Sequence, residues 1–249
     1  MGKFTNKTAM VTGAGKNIGK QIALDFAKEG ANVIVCDLNE ENTYATVSEI
    51  KAAGDNAMAA ICDVRDRAKI NAYVAEAIKE FGSIDILVNN AGGSAGLLNK
   101  LTNFVEADPE TLEFVLDINI KGAFNCSHAV LPSMIEKRWG KIINISSIAA
   151  VCGLKQRVDY AAAKAAMIGM ARALTLEVGK YNICVNCVSP GAIARNGNTH
   201  GHMTHLDEDG RMGDPQDIAD TVLFLAGQDF ITGQNIVVDG GRSLGPSHR

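Results

Sequence analysis

The chain has 249 residues, 47% of them hydrophobic, and a formal net charge of −4 from 24 Lys and Arg against 28 Asp and Glu. That is enough apolar material for the core of one large α/β domain, and the scattered basic residues leave no footprint for nucleic acid or an anionic membrane surface. No apolar run approaches the ~20 residues of a bilayer span, and the N-terminus enters a strand-like segment with no signal-peptide apolar region. The composition therefore reads as a cytoplasmic protein that handles small molecules.

Taken in chain order, short β-branched runs alternate with amphipathic stretches, the pattern of parallel strands joined by crossover helices. Strands are predicted at 8–12, 32–36, 57–61, 84–88, 141–145, 183–187 and 235–238. Helices are predicted at 18–29, 41–53, 67–81, 109–137, 158–180 and 215–226. With mostly short connections and no linker, this makes residues 1–249 one α/β domain: a Rossmann fold, a doubly wound seven-stranded parallel sheet with helices on both faces. Two connections, 92–108 and 190–214, are longer than that plan needs. Both leave C-terminal strand ends, where open α/β sheets bind ligands. The second is Gly-rich, polar and without a clean period, and reads as a substrate lid.

Six cysteines, at 36, 62, 126, 152, 184 and 187, mostly fall inside apolar patterns, where free Cys behaves as a small hydrophobe. Cys184 and Cys187 spell C-x-x-C. On a strand, however, positions i and i+3 point to opposite faces, so redox or zinc chemistry is not expected of them.

After the first strand, TGAGKNIG (Thr12 to Gly19) leads into a helix. Glycines at 13, 15 and 19 let the backbone turn tightly towards a pyrophosphate, which the helix N-terminus favours. Asp37, at the end of the second strand, can accept hydrogen bonds from both adenosine ribose hydroxyls and would repel a 2′-phosphate. The cofactor indicated is NAD rather than NADP, although Lys16 in the turn pulls mildly towards NADP. A P-loop is excluded by spacing, because Ala14 and Gln21 stand where that motif requires Gly and Ser or Thr.

Tyr160 and Lys164 are four residues apart on a predicted helix, and so share a face. An ammonium near a phenol favours the phenolate, which makes Tyr160 a usable general acid/base. Ser147 follows the apolar run of the fifth strand, at a strand end from which its hydroxyl could bond a carbonyl or carbinol oxygen. A Tyr-x-x-x-Lys pair alone is common on helices, and its weight here comes from the nucleotide turn in the same chain.

Taken together, TGAGKNIG, Asp63-Val64, NNAG (Asn89 to Gly92), Asn119, Ser147, Tyr160, Lys164 and Pro190-Gly191 resemble the short-chain dehydrogenase/reductase family in order and spacing over essentially the whole chain. The resemblance implies hydride transfer between NAD(H) and a secondary alcohol or ketone, with Asn119, Ser147, Tyr160 and Lys164 catalytic. It implies cofactor contacts from Gly13, Asn17, Ile18 and Gly19 in the turn, Asp63 and Val64 at the adenine, Asn90 at the adenosine ribose, and Ala91 and Gly92 beside it in sequence. Pro190 and Gly191 would also bind the cofactor, the backbone near Ile193 would reach the nicotinamide amide, and Tyr160 and Lys164 would hold its ribose. It also casts Asn119 as the residue that interrupts helical bonding to support a water relay to the lysine. One departure is Asn17, standing where the family's middle glycine belongs; Asn tolerates left-handed backbone.

Candidate substrate walls are 94–98, 152–157 and 195–205. Arg195 stands where the family often has a threonine. Arg195, Lys155 and the His200, His202 and His205 cluster favour a polar or anionic substrate such as a polyol, sugar or hydroxy acid. Asp207 beside those histidines raises a metal site, but hydride transfer needs none and no metal is expected. An NADP-preferring carbonyl reductase of 3-oxoacyl type is the alternative. A non-catalytic nucleotide-binding regulator is disfavoured, since all four catalytic residues are present. The helices at 109–137 and 158–180 carry more Ala, Met and Ile than one sheet face can cover, and the resemblance implies a four-helix interface in a homotetramer or homodimer.

Overall fold

The structure, a computed structural model, describes residues 2–194, 204–206 and 210–245. Seven strands form one sheet: β1 (Thr8–Thr12), β2 (Asn32–Asp37), β3 (Ala57–Ile61), β4 (Ile86–Asn89), β5 (Gly140–Ile145), β6 (Ile183–Pro190) and β7 (Asn235–Val238). The spatial order is β3-β2-β1-β4-β5-β6-β7, and every pairing is parallel. Strand order reverses between β1 and β4, which creates the crevice where such sheets bind ligands.

Strand side chains alternate between two cores. Val11, Val33, Val35, Val88 and Ile143 pack on one face with Ile22 and Phe26 of helix α1 (Asn17–Lys28) and Ile218 and Val222 of α8 (Pro215–Ala226). Met10, Ile34, Leu87, Ile142 and Val185 face the other way. There they meet Val74 of α3 (Arg67–Phe81), Val130 and Met134 of α5 (Gly122–Lys137) and Ala171 of α7 (Val158–Val178). The central strands β1, β4, β5 and β6 are buried along their whole length because both faces are covered. Helix α2 (Glu40–Ala52) and the short α4 (Pro109–Leu116) and α6 (Ala149–Cys152) complete the α-helices of the described residues.

The helices α3 and α8 have the ends that their sequences specify. Asp66 accepts from Lys69 N and Gly82 closes α3 in left-handed conformation, while Asp214 and Asp217 form a capping box at α8 with Pro215 behind it. Three expectations are corrected. The long helix expected at 109–137 is interrupted by a π-helical turn, Asp117–Lys121, between α4 and α5. The helix expected to reach Lys180 ends at Val178, and Gly179–Tyr181 tightens into a 3₁₀ turn. Strand β6 runs three residues past the expected end, because Val188, Ser189 and Pro190 pair with β7, a partner some 48 residues away in sequence. Helix α6 was not anticipated.

Cys184 and Cys187 do lie on opposite sheet faces. The Cys184 thiol approaches the Asp229 carbonyl, and the Cys187 thiol bonds the Met167 carbonyl. All six cysteines are free thiols.

Candidate active site

The turn after β1 is braced from β4. Thr12 Oγ1 donates to Val88 O and accepts from the amides of Asn90 and Ala91 at 3.0 Å each. Asn90 Nδ2 donates to the carbonyls of Thr12 (2.9 Å) and Gly13 (3.1 Å). Asn90 therefore holds the turn through its side chain, and only its remaining polar atoms are open to the ribose contact expected of it. A Cβ on Gly19 would overlap the Gly13 carbonyl and come within 2.5 Å of Asn90 Nδ2, so glycine there lets α1 begin directly under the turn. Asn17 stands in left-handed backbone at φ 50°, as its place in the turn requires.

The first turn of α1 has no side-chain cap. Its amides are left for a ligand anion, with the positive end of the helix dipole behind them. Asp37 closes the far side of the turn: Oδ2 accepts from Gly15 N at 2.9 Å and Oδ1 from Asn39 N at 2.9 Å. An uncapped helix start under a glycine turn, with a carboxylate at the neighbouring strand end, fits the pyrophosphate and ribose of a dinucleotide.

Beyond β3, Asp63 forms a two-point pair with Arg65, Nη2 to Oδ2 at 2.6 Å, and the guanidinium holds this carboxyl below the usual carboxylate range. The carboxylate expected at the adenine is thus already partnered. Val64 is buried against Gly122 of α5, and Asn125 Nδ2 donates to its carbonyl at 3.0 Å.

The four residues expected to be catalytic come from three places in the fold: Asn119 from the π-helical turn, Ser147 from the chain after β5, and Tyr160 and Lys164 from α7. Asn119 lies in the π-helical turn, 1% exposed. Its Nδ2 donates to Val115 O at 2.7 Å and to Gly93 O at 2.8 Å, and its Oδ1 accepts from Gly93 N at 3.1 Å. One amide side chain thus replaces the local helical bonding and ties the helix to the chain leaving β4. Gly92, at φ +153°, makes this approach possible. A Cβ there would strike Asn119 Oδ1 and sit 3.3 Å from Lys164 Nζ.

Lys164 is 3% exposed, and its Nζ donates to Ile145 O, the last carbonyl of β5, at 2.7 Å. Burial lowers this amine from its ordinary 10.5 to about 8. The ammonium expected to act on Tyr160 is therefore itself close to titration at working pH. Its Nζ lies 5.7 Å from the centroid of the half-buried Tyr160 ring. Ser146 Oγ donates to the Lys164 backbone carbonyl at 2.8 Å, pinning α7 to the end of β5. Ser147, next in sequence, accepts from Ala149 N at 3.1 Å. Ser146 and Thr12 are positioning residues that the motif reading passed over. Hydroxyls at strand ends beside a motif glycine or serine were the signal available.

On the lid side, Ile148 N donates to Pro190 O, Gly191 N donates to Val238 O, and Ile193 bridges Gly213. A cavity of about 220 Å³ lies beside Ile193, between Leu206, Arg211, Asp217 and Val238; among the described residues neither Tyr160 nor Ser147 lines it. Arg195, His200, His202 and Asp207 lie outside the described residues, so the expected lid is seen only in part. His205 is described and its Nε2 meets Gly245 O at 2.8 Å. Among the described residues no group of three or more His, Cys, Asp or Glu is placed to hold a metal ion.

The sequence model of the short chain dehydrogenase family matches residues 7–202. The chain is 42% identical to (2S)-[(R)-hydroxy(phenyl)methyl]succinyl-CoA dehydrogenase subunit BbsD of Thauera aromatica, over 96% of this chain and 97% of that one. It is 36% identical to the 3-oxoacyl-[acyl-carrier-protein] reductase FabG of Thermotoga maritima, over 96% and 98%. A crystal structure of a Burkholderia xenovorans short-chain dehydrogenase/reductase superposes with a TM-score of 0.89 at 34% identity, covering 99% of this chain and 100% of that one. The structure of 7α-hydroxysteroid dehydrogenase with NADH and 7-oxo glycochenodeoxycholic acid gives 0.87 at 34%, over 96% and 94%. The chain is a member of the short-chain dehydrogenase/reductase family, with the oxidoreductase fold of that family.

Proposed function

We propose that this chain transfers a hydride between NAD(H) and a secondary alcohol or ketone, with Tyr160 exchanging the hydroxyl proton. The observation that carries the reading is the convergence of Gly92, Asn119 and Lys164 beside the Tyr160 ring, at the same sheet edge as the uncapped glycine turn. The turn residues Gly13, Asn17, Ile18 and Gly19, with Asp37, Asp63, Val64, Asn90, Ala91, Gly92, Pro190, Gly191 and Ile193, would hold the dinucleotide. When bound, it supplies the hydride.

Tyr160 gives or takes the proton at the substrate oxygen, and Ser147 steadies that oxygen with its hydroxyl. Lys164 returns charge to the phenol; since the two groups are coupled, the pH dependence of the reaction belongs to the pair. Asn119 fixes the helix that faces Lys164 and keeps the Gly93 backbone in place.

Asp37 supports NAD over NADP, because a 2′-phosphate would meet a carboxylate already fixed by two backbone amides. For the substrate we keep a polar or anionic carbinol as the first reading. The second is an acyl thioester. It is favoured by the names of the BbsD and FabG relatives and by the exposed apolar side chains Leu97, Leu98, Leu101, Phe104 and Val105 on the 92–108 connection.

A homotetramer or homodimer is supported by Leu116, Phe124, Val158 and Leu176, which stand exposed on α4, α5 and α7. Six free thiols support a cytoplasmic setting, and among the described residues no helix is long and apolar enough to cross a membrane. The test is absorbance of the reduced nicotinamide over a panel of polyols, hydroxy acids and hydroxyacyl thioesters, with NAD and NADP in parallel. Turnover with NAD on one class supports the reading. A protein inert with both cofactors on every class overturns it.

A further inference from the structure

We infer that Cys36 and Cys62 form an oxidisable dithiol whose closure to a disulfide shuts the dinucleotide site. The two sulfurs are 3.9 Å apart on neighbouring parallel strands, Cys36 one residue before the end of β2 and Cys62 one residue after the end of β3. The strand ends are already in register, with Asp37 paired to Ile61 and Cys62 N donating to Asp37 O at 3.1 Å. A disulfide needs the sulfurs about 2.05 Å apart, a closure of about 2 Å shared between two side chains.

The cysteines flank the residues that the proposed function assigns to the nucleotide. Asp37 follows Cys36, and Asp63 and Val64 follow Cys62. Drawing the sulfurs together pulls on the backbone at Asp37, whose carboxylate fixes Gly15, and at Asp63, whose carboxylate is locked to Arg65. The inference therefore rests on that cofactor reading for its consequence, but not for the bond itself. The pair is also chemically unequal. The hydrogen bond from Cys36 lowers the Cys62 thiol, whereas the same bond, burial and the neighbouring sulfur charge push Cys36 up. Cys62 is thus the more acidic thiol and the one to attack first, with Cys36 the resolving thiol.

With a peroxide as oxidant the step balances. The Cys62 thiolate attacks one peroxide oxygen, the O–O bond breaks, and the departing hydroxide takes a proton and leaves as water. The Cys36 sulfur then attacks the resulting sulfenic sulfur, S–S forms, S–O breaks, and a second water leaves. The two thiols lose two electrons and two protons, and one hydrogen peroxide becomes two waters.

The test treats the full chain with hydrogen peroxide, maps peptides without reduction, and measures NAD and NADP affinity before and after. The expected result is a peptide containing Cys36 joined to one containing Cys62, absent in Cys62→Ser and in Cys36→Ala. Dinucleotide affinity should fall at least tenfold in parallel and return with dithiothreitol, and saturating dinucleotide should slow the cross-link. The inference is overturned if the exposed Cys152 is oxidised while no 36–62 link forms, or if the link forms and affinity is unchanged. Failure of the reduced protein to bind either dinucleotide would instead strike the cofactor reading, since the cross-link is read independently of it.

Discussion

Replacing Lys164 with Met tests how much strain the site stores in a buried amine. Burial lowers this amine to about 8 from an ordinary 10.5, which corresponds to a penalty of about 3 kcal/mol on the ammonium when the pH is well below 8. Because the folded value is depressed, the unfolded chain binds the proton more tightly. The penalty is fully present below pH 8 and is relieved as pH rises from 8 to 10.5. It is about 3 kcal/mol at pH 7 and about 1 kcal/mol at pH 10. Met removes it at every pH but also removes the bond to Ile145 O, a loss of about 1–2 kcal/mol that does not vary with pH. In urea denaturation without cofactor, Lys164→Met should therefore be about 1–2 kcal/mol more stable than the parent at pH 7 and near parity at pH 10. The variant should lack turnover throughout. A stability difference that stays constant between those pH values would show that the Lys164 amine is not depressed in the folded state, because only its titration makes the difference change.

Other expected outcomes follow from the same geometry. Gly19→Ala should destabilise the chain by about 1–3 kcal/mol and weaken dinucleotide binding, since its Cβ overlaps Gly13 O; denaturation and titration calorimetry measure both. Asn119→Ala strands the Gly93 amide and the Val115 and Gly93 carbonyls at about 1–3 kcal/mol in all. It should also speed hydrogen exchange at Gly93, and unchanged exchange there would contradict the clamp. Asp37→Ser should cost about 10- to 100-fold in kcat/KM with NAD, from the loss of hydrogen bonds to a charged acceptor, and improve the ratio in favour of NADP. Retention of the parent's cofactor ratio would contradict the role given to Asp37.

The parts of the fold that were legible in the sequence are those whose cause is local. Helix α3 runs between Asp66 and Gly82, and α8 starts at the Asp214 box, because caps act within a turn of the residue that makes them. Strands buried on both faces announce themselves as apolar runs, and these, with the less buried edge strand β7, alternate with helices in the order that imposed the sheet. What stayed hidden depends on contacts distant in sequence. The π-helical turn exists because Asn119 bonds Gly93, 26 residues away, and no helix propensity reports that. The family resemblance alone pointed to an interruption there. The extra length of β6 comes from β7, the side-chain task of Asn90 from the carbonyls of Thr12 and Gly13, and the commitment of Asp63 from Arg65. In the candidate site, Tyr160 and Lys164 were visible from their i, i+4 spacing. The burial that brings Lys164 near titration was not, because it arises from α7 lying over the end of β5.

In the proposed reaction Tyr160 handles the substrate proton with Lys164 beside it. Single-turnover and steady-state kinetics of Tyr160→Phe, with NAD affinity measured on the same protein, test it most directly. The expected result is a loss of about 10² to 10⁴ in kcat with dinucleotide binding retained. Turnover within a few-fold of the parent would contradict it.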